Sequence, residues 1–411
     1  LSEPPAAPEP QFFAAEAGRI AEELAGYAIR RDGSAAWIGL DWLGDAEVFQ
    51  LTCLGHELYN GVSGIALFLA AHAAVSGEAS SRELGLAALA HLRKELKSRN
   101  AARMARSLGI GGATGLGSIV YALTVIAGFL DDDALRADAL SAAALFTDDL
   151  IAADKQLDVM GGSAGAIIAL LRLYRDSHAP EALAWAEKCG AHILRQPRIG
   201  EQGRRAFATP GAGPHGLNGM SHGAAGFAYA LSALAAVTGR EHFAQAASEC
   251  IAFEDASYDA ERHNWPDLRG EGALAWPCQW CHGAPGIGLA RIATARRGGG
   301  LDRKLLAADI GNALTGAQDG WPGPVDTLCC GTLGSIEFFC EAAGALERGD
   351  LGALAARRLA QLLQASRTAG DFRWNSGPRR FNLGLFRGLA GVGYTALRRV
   401  DPSLPDVLIW E

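Results

Sequence analysis

Seven times along this chain a glycine-rich turn runs directly into an apolar stretch of helix length, and no other feature constrains the fold as strongly. The turns are Tyr59-Asn60-Gly61-Val62-Ser63-Gly64, Gly111-Gly112-Ala113-Thr114-Gly115, Met160-Gly161-Gly162-Ser163-Ala164-Gly165, Met220-Ser221-His222-Gly223-Ala224-Ala225-Gly226, Trp280-Cys281-His282-Gly283-Ala284-Pro285-Gly286, Cys329-Cys330-Gly331-Thr332-Leu333-Gly334 and Phe386-Arg387-Gly388-Leu389-Ala390-Gly391. Their spacing of about 48 to 61 residues leaves room for two helices of ordinary length per copy. The stretches after the turns, such as Ile65 to Ala74 and Ile119 to Leu130, are apolar nearly all round, as buried helices should be. Amphipathic stretches lie between the turns. Ile20, Leu24, Tyr27 and Ala28 mark one face of the first, and Leu84, Leu86, Leu89 and Leu92 mark another. No alternating period-2 runs compete. The pattern predicts an all-α fold with an inner and an outer ring of seven helices each.

Composition supports one large domain. The 411 residues would allow two or three, but the 52 glycines are spread through the repeats and no linker interrupts the chain after residue 11. Hydrophobic content of 49% suffices for a sizeable core. Residues 1–11, with Pro4-Pro5-Ala6-Ala7-Pro8-Glu9-Pro10, read as the remnant of a stiff Pro-rich linker, and residues 12–411 as the domain. With no initiator Met, the chain is expected to be cut from a longer protein. Leu108 to Leu130 is uncharged and long enough to span a membrane, but the glycines and Thr-Gly turn inside it argue for a turn plus an inner helix. No signal-peptide pattern is present, so a cytoplasmic location is expected. A net charge of −8 without a basic stripe argues against nucleic acid. The pairs Arg204-Arg205, Arg296-Arg297 and Arg379-Arg380 read as solvated loops and helix ends, with docking of an acidic peptide as the lesser alternative.

Eight cysteines in a signal-free chain point to reduced, metal-binding or catalytic thiols rather than disulfides. Cys53, Cys189, Cys250 and Cys340 sit singly in apolar helical context and read as buried small hydrophobes. Cys278, Cys281, Cys329 and Cys330 cluster. They admit three readings: a Cys278-x-x-Cys281 redox pair, a closed four-cysteine structural zinc site, or a catalytic zinc on Cys281, Cys329 and Cys330 with an open fourth position. Register favours the third. Cys281 immediately precedes the His-Gly turn of the fifth copy, and Cys329-Cys330 precedes the glycine turn of the sixth. Neighbouring copies would therefore put these thiols at adjacent helix N-termini, where the dipole favours thiolate. Cys278 falls three residues before that register.

His222 occupies the corresponding turn of the fourth copy and should face the same mouth, and Asp158, at Asp158-Val159-Met160-Gly161-Gly162, should do so from the third. His282 shares the register and reads as a contact or orienting residue. His56, in the first copy, reads as structural, and His215 and His263 remain weak candidates. Asp131-Asp132-Asp133 looks like a diphosphate-binding cluster but more naturally starts and caps an outer helix.

The Ser-His-Gly, Trp-Cys-His-Gly and Cys-Cys-Gly series resembles the LanC-like lanthionine cyclases. The tail Gly384-Leu385-Phe386-Arg387-Gly388-Leu389-Ala390-Gly391-Val392-Gly393-Tyr394, ending Leu408-Ile409-Trp410-Glu411, is similar to the C-terminal cyclase domain of class II lanthipeptide synthetases (LanM type). Ala36-Trp37-Ile38-Gly39-Leu40 and Leu58-Tyr59-Asn60-Gly61 fit that subclass as well. The match covers the chain from about residue 12. It implies an α/α toroid of seven inner and seven outer helices, a Zn²⁺ cofactor, a dehydrated precursor peptide (leader plus core) as substrate, and an N-terminal dehydratase domain of the same polypeptide as partner. Two departures stand out. Many relatives complete the zinc site with Cys-His, so Cys329-Cys330 implies the all-cysteine variant. Some carry an arginine four residues before the first zinc cysteine, where this chain has Pro277, and that arginine's role cannot be transferred.

The chemistry the resemblance implies is addition of a peptide cysteine thiolate to the β-carbon of dehydroalanine or dehydrobutyrine, closing a (methyl)lanthionine thioether ring. The zinc supplies the thiolate. His222 is then the candidate donor of the proton to the α-carbon, with Asp158 orienting or tuning a histidine or assisting thiol deprotonation. The rival readings are a relative that adds glutathione or another outside thiol, a different α/α toroid such as a protein prenyltransferase subunit, and a peptide-binding module with a closed structural zinc. The prenyltransferase reading fits poorly, because such a site would use Asp, Cys and His. Sequence does not specify the precursor, the ring pattern or the leader docking site.

Overall fold

The computed structural model describes residues 8–43, 48–201, 203–210, 215–269 and 274–411. Most of the predicted linker, residues 1–7, lies outside the described residues, and helix begins at Pro10, inside the remainder.

Following the chain, α1 (Pro10–Tyr27) leads into two antiparallel hairpins, β1 (Ile29–Arg31) with β2 (Ser34–Ala36) and β3 (Ile38–Leu43) with β4 (Val48–Cys53). Then come α2 (Val62–Ser76), α3 (Ala79–Leu96), α4 (Ala101–Leu108), α5 (Leu116–Leu130), α6 (Asp133–Ala143), α7 (Asp148–Ala152), α8 (Ser163–Ser177) and α9 (Pro180–Arg195). The rest is α10 (Ala224–Thr238), α11 (Glu241–Asp255), α12 (Ala284–Arg297), α13 (Arg303–Asp319), α14 (Thr332–Ala345), α15 (Gly349–Ala369) and α16 (Leu389–Val400). Among the described residues, each of the seven predicted turns starts a helix: α2, α5, α8, α10, α12, α14 and α16.

The hairpins are the departure from the sequence reading, which saw no competing strands. Ile38, Val48, Phe49 and Leu51 on β3 and β4 are exposed, so no buried face imprints a two-residue period. Cys53 is likewise not in a helix but exposed at the end of β4. The membrane-length run resolves as expected into the end of α4, a turn and α5, and no described helix is long and apolar enough to cross a membrane.

The chain divides into two compact units. The first comprises Leu1–Arg99, Val125–Asp138 and Pro324–Asp406. In it α1 packs on α16, α2 on α3, α14 on α15 and α16 on α2. The second comprises Asn100–Thr124, Ala139–Gly323 and Val407–Glu411, with α8 on α9, α10 on α11, α12 on α13, and α10 against both α8 and α12. The post-turn helices are wrapped on all sides: α10 is buried without a break from Ala224 to Ala235, and α12 from Ala284 to Thr294. Their partners bury one stripe only, such as Leu84, Ala88, Leu89, Leu92 and Leu96 on α3. The acidic triplet is a cap: Asp132 Oδ1 accepts from Leu135 N at 3.0 Å, and Asp131 and Asp133 pair with Arg136.

Backbone hydrogen bonds link consecutive turns inside each unit. In the second unit Gly112 N donates to Val159 O (3.1 Å), Val159 N to Ser221 O (3.2 Å) and Ser221 N to Cys281 O (3.2 Å). In the first, Cys329 N donates to Phe386 O (3.0 Å) and Phe386 N to Tyr59 O (2.9 Å). The glycines make the tight winding of each turn sterically feasible. A Cβ on Gly165 would lie 1.9 Å from Val159 O, on Gly226 2.2 Å from Met220 O, on Gly286 1.8 Å from Trp280 O, and on Gly391 2.0 Å from Leu385 O. In each case the obstructing carbonyl belongs to the residue six positions upstream, which sets the glycine period of the motif.

Gly165→Ala is therefore expected to destabilise by about 1–3 kcal/mol through overpacking. Gly128→Ala, at an open position within α5, should stabilise by roughly 0.5–1 kcal/mol through helix propensity. Urea midpoints of the two variants should move in opposite directions.

Candidate active site

In the second unit the turn ladder sets three chemically active residues at one register, Asp158 beside Val159, His222 beside Ser221, and Cys281 itself. Asp158 is buried, and its Oδ2 lies 2.7 Å from His222 Nδ1. Its Oδ1 accepts from Gly161 N at 2.8 Å, so the carboxylate is fixed by its own turn. The His222 side chain is 37% exposed and, with Asp158, lines a cavity of about 570 Å³ that also takes in Thr114, Met160, Arg106 and Lys155. The third and fourth copies are thus joined through these two side chains.

His282 is fully enclosed, its Nδ1 3.3 Å from Asn218 O and its ring stacked on that of His222 with centroids 6.0 Å apart. Burial first, and then the positive charge of Arg269, push its pKa down to about 4, so the imidazole is neutral at pH 7. His215 is exposed and His263 half-buried, and the structure gives neither a link to the His222–Asp158 pair.

Cys281 is buried just ahead of α12, its Sγ 3.4 Å from Gln279 Oε1. Cys278 turns away from that register and donates to Gly316 O at 3.4 Å. In the first unit, Cys329 and Cys330 sit ahead of α14 with sulfurs 3.3 Å apart and not joined as a disulfide. Cys281 of the second unit and the Cys329–Cys330 pair of the first are the thiols the sequence reading assigned to a metal, and unoxidised thiols of this kind suit zinc, which binds cysteine as thiolate. Cys189 and Cys250 are buried helical thiols whose pKa burial raises, as expected for inert core residues.

Sequence reasoning missed several residues that hold this arrangement. Tyr59 hydrogen-bonds Cys329, and burial followed by the neighbouring Cys329 and Cys330 raises its pKa well above 10, so the phenol keeps its proton and acts as donor. Glu254, fully buried on α11, accepts from Gly219 N at 2.7 Å and so holds the start of the His222 turn, where Gly219 has φ +102°. Glu254 is in turn held by Arg291 of α12 (2.9 Å), which also reaches Asp309 (2.7 Å) and Asp255 (3.3 Å). Asn264 accepts from Ala284 N at 2.9 Å at the start of α12 and donates to Pro277 O at 3.1 Å. None of the four sits in the glycine motif's active register except Tyr59, whose place in the first turn was the one available signal. The arginine pairs also proved partly structural: Arg205 pairs with Glu249 at 2.8 Å and Arg379 with Glu23 at 2.8 Å.

The helical fold is of the α/α-toroid class. Nisin cyclase shares the fold, with 14% identity over 98% of both chains and a TM-score of 0.68. The chain belongs to the family described as lanthionine synthetase C-like protein, whose sequence profile matches residues 52–409. An unsaturated glucuronyl hydrolase from Bacillus sp. GL1 aligns more loosely, with 13% identity over 96% of this chain and 98% of its own, at a TM-score of 0.49. No curated protein sequence matches the chain significantly.

Replacing Arg291 by Met strands three carboxylates, two of them fully enclosed, and should destabilise the protein by about 3–5 kcal/mol. Urea denaturation of the variant measures this, and an effect below about 1 kcal/mol would mean the cluster is hydrated or neutral.

Proposed function

We propose that the protein is a zinc-dependent lanthipeptide cyclase, closing (methyl)lanthionine rings by addition of peptide cysteine to dehydroalanine or dehydrobutyrine. The observation that carries this reading is the His222–Asp158 pair at a cavity wall, in the register that also carries Cys281, in a chain of the lanthionine synthetase C-like family. The tail residues Gly384 to Tyr394 and Leu408 to Glu411 support the finer assignment to the class II, LanM-type cyclases. The substrate is then a dehydrated precursor with leader and core, and a dehydratase domain is the partner.

A zinc ion on Cys281, Cys329 and Cys330 would supply Lewis acidity that lowers the pKa of an incoming peptide thiol. The protein's own residues do the rest. The cavity beside His222 receives the dehydrated residue. The Asp158 carboxylate accepts a hydrogen bond from His222 Nδ1–H, which fixes the ring's orientation and leaves Nε2 to take up the proton that the peptide thiol releases. As the sulfur–β-carbon bond forms, the carbon–carbon π bond breaks and its electrons move onto the α-carbon and the adjoining carbonyl. His222 delivers a proton to that α-carbon, and Asp158 stabilises the imidazolium before it does so. His282, neutral and stacked on His222, adds no second positive charge against this imidazolium. Tyr59 donates to Cys329 and restrains one sulfur of the thiol pair.

Incubation with a dehydrated, cysteine-containing peptide should consume free thiols without a mass change, counted by alkylation and mass spectrometry. Cys281→Ala should lose both zinc and thiol consumption. Adduct masses equal to added glutathione, with no ring closure, would replace the cyclase reading by one of outside-thiol addition. His222→Asn should keep zinc and slow cyclisation by about 10²–10⁴-fold, the usual range for loss of a general acid. Cys330→His, by lowering electron donation to the metal, should retain zinc but slow the chemical step, and equal single-turnover rates would dispose of that electronic argument.

A further inference from the structure

We infer that His56, His91 and Glu95 form a second metal site, separate from the cysteine thiols, for a divalent transition metal of the zinc type. All three belong to the first unit. His91 and Glu95 stand four residues apart on α3, so one helical face presents both. His56 comes from the loop between β4 and α2. That loop is held tightly: Ser63 Oγ donates to His56 O (2.5 Å), Val62 N to Gly55 O (2.8 Å) and Asn60 N to Glu57 Oε1 (3.1 Å).

The ligand atoms converge. His56 Nε2 lies 3.1 Å from Glu95 Oε2 and 3.3 Å from His91 Nδ1, and one ligand atom from each of the three lies within 4.8 Å of the others. Ligands held about 2.0–2.1 Å from a tetrahedral zinc lie roughly 3.3 Å from one another, so the two short separations match two edges of such a site. Hydrogen bonding accounts for the geometry less well. A proton on His56 Nε2 serves Glu95 or His91, and a single hydrogen cannot point squarely at both. The imidazole planes are stacked at 5.3 Å and 23°. A cation between the three donors satisfies all of them at once.

The donor set is two imidazoles and a carboxylate, which suits Zn²⁺, Co²⁺ or Ni²⁺ and excludes the all-oxygen preference of Ca²⁺ or Mg²⁺. His91 is exposed, so an ion can reach the site from solvent. The consequence is mechanical. An ion here fastens the loop of His56 to α3, and three residues further along the same loop Tyr59 hydrogen-bonds Cys329.

The test uses the full chain. Protein loaded with Zn²⁺ and dialysed against metal-free buffer is assayed by inductively coupled plasma mass spectrometry, for wild type and for His91→Ala and Glu95→Gln. Each variant should retain one zinc equivalent fewer than wild type. The Zn²⁺-dependent rise in melting temperature should also be smaller in both variants. Loading with Co²⁺ assigns the lost equivalent, because the variants should keep the intense sulfur-to-cobalt absorption of a thiolate site. Equal zinc content in wild type and both variants, with circular dichroism showing all three folded, would overturn the inference. The cyclase reading is tested apart from this: its failure removes the Cys281-dependent equivalent and leaves the difference between wild type and His91→Ala intact.

Discussion

The structure depends on the backbone hydrogen bonds that tie one glycine turn to the next. Within each unit a turn offers an N–H to a carbonyl of the neighbouring copy, and the turn itself winds tightly because the residue that would collide with its own backbone has no Cβ. A carbonyl six residues upstream fills the space where the Cβ of Gly165, Gly226, Gly286 or Gly391 would stand. The repeat is therefore a packing requirement before it is a functional motif. It fixes the height of each turn to within a hydrogen bond, and side chains adjacent to the bonded residues inherit that precision. Asp158 and His222 meet at 2.7 Å because the adjacent Val159 N and Ser221 O are already bonded at 3.2 Å.

A second layer of restraint comes from buried charge. In the second unit Arg291 gathers Glu254, Asp255 and Asp309, and Glu254 passes the restraint to Gly219 at the head of the His222 turn. In the first unit Arg398 gathers Glu337, Glu341 and Asp406 in the same manner. Such clusters add little net stability over apolar packing, since desolvation consumes most of the Coulombic gain. What they add is direction: a guanidinium satisfied by several fixed carboxylates tolerates few alternative arrangements. The C-terminal tail works alongside them in the second unit. Leu408 O accepts from Trp280 Nε1 (3.1 Å), Ile409 O from Tyr229 OH (2.5 Å), and Trp410 Nε1 donates to Gly112 O (2.9 Å). Trp280 is the residue before Cys281, so the tail braces that turn from below.

The sequence was legible where physics leaves a periodic trace. Seven turns, seven enclosed helices and the amphipathic helices between them follow from the spacing of glycine and of apolar residues. Register put His222 and Asp158 toward one mouth, but their direct contact is visible only in the structure. The hairpins at residues 29–53 left no such trace, because β3 and β4 expose Ile38, Val48, Phe49 and Leu51, and an unburied strand need not alternate. Glu254 was silent for a different reason. On α11 it reads as one more acidic residue of an outer helix, and only the tertiary structure shows that its stripe faces inward against Arg291 and Gly219. Long-range partners of this kind have no fixed spacing, so no motif announces them.

His282 shows how one register can yield different chemistry in adjacent copies. It and His222 occupy the same position of consecutive turns, yet one is 37% exposed to a cavity and bonded to a carboxylate, while the other is enclosed and faces a backbone carbonyl. Burial and the charge of Arg269 keep the second ring neutral, and its stacking supports the first without competing for protons. Pro277 fits the same logic. Its carbonyl stands 1.8 Å from where a Gly283 Cβ would be and accepts from Asn264, so the position that carries arginine in some relatives is here part of the brace that shapes the turn. Arg269, paired with Asp267 at 2.6 Å, is the cation that acts on His282.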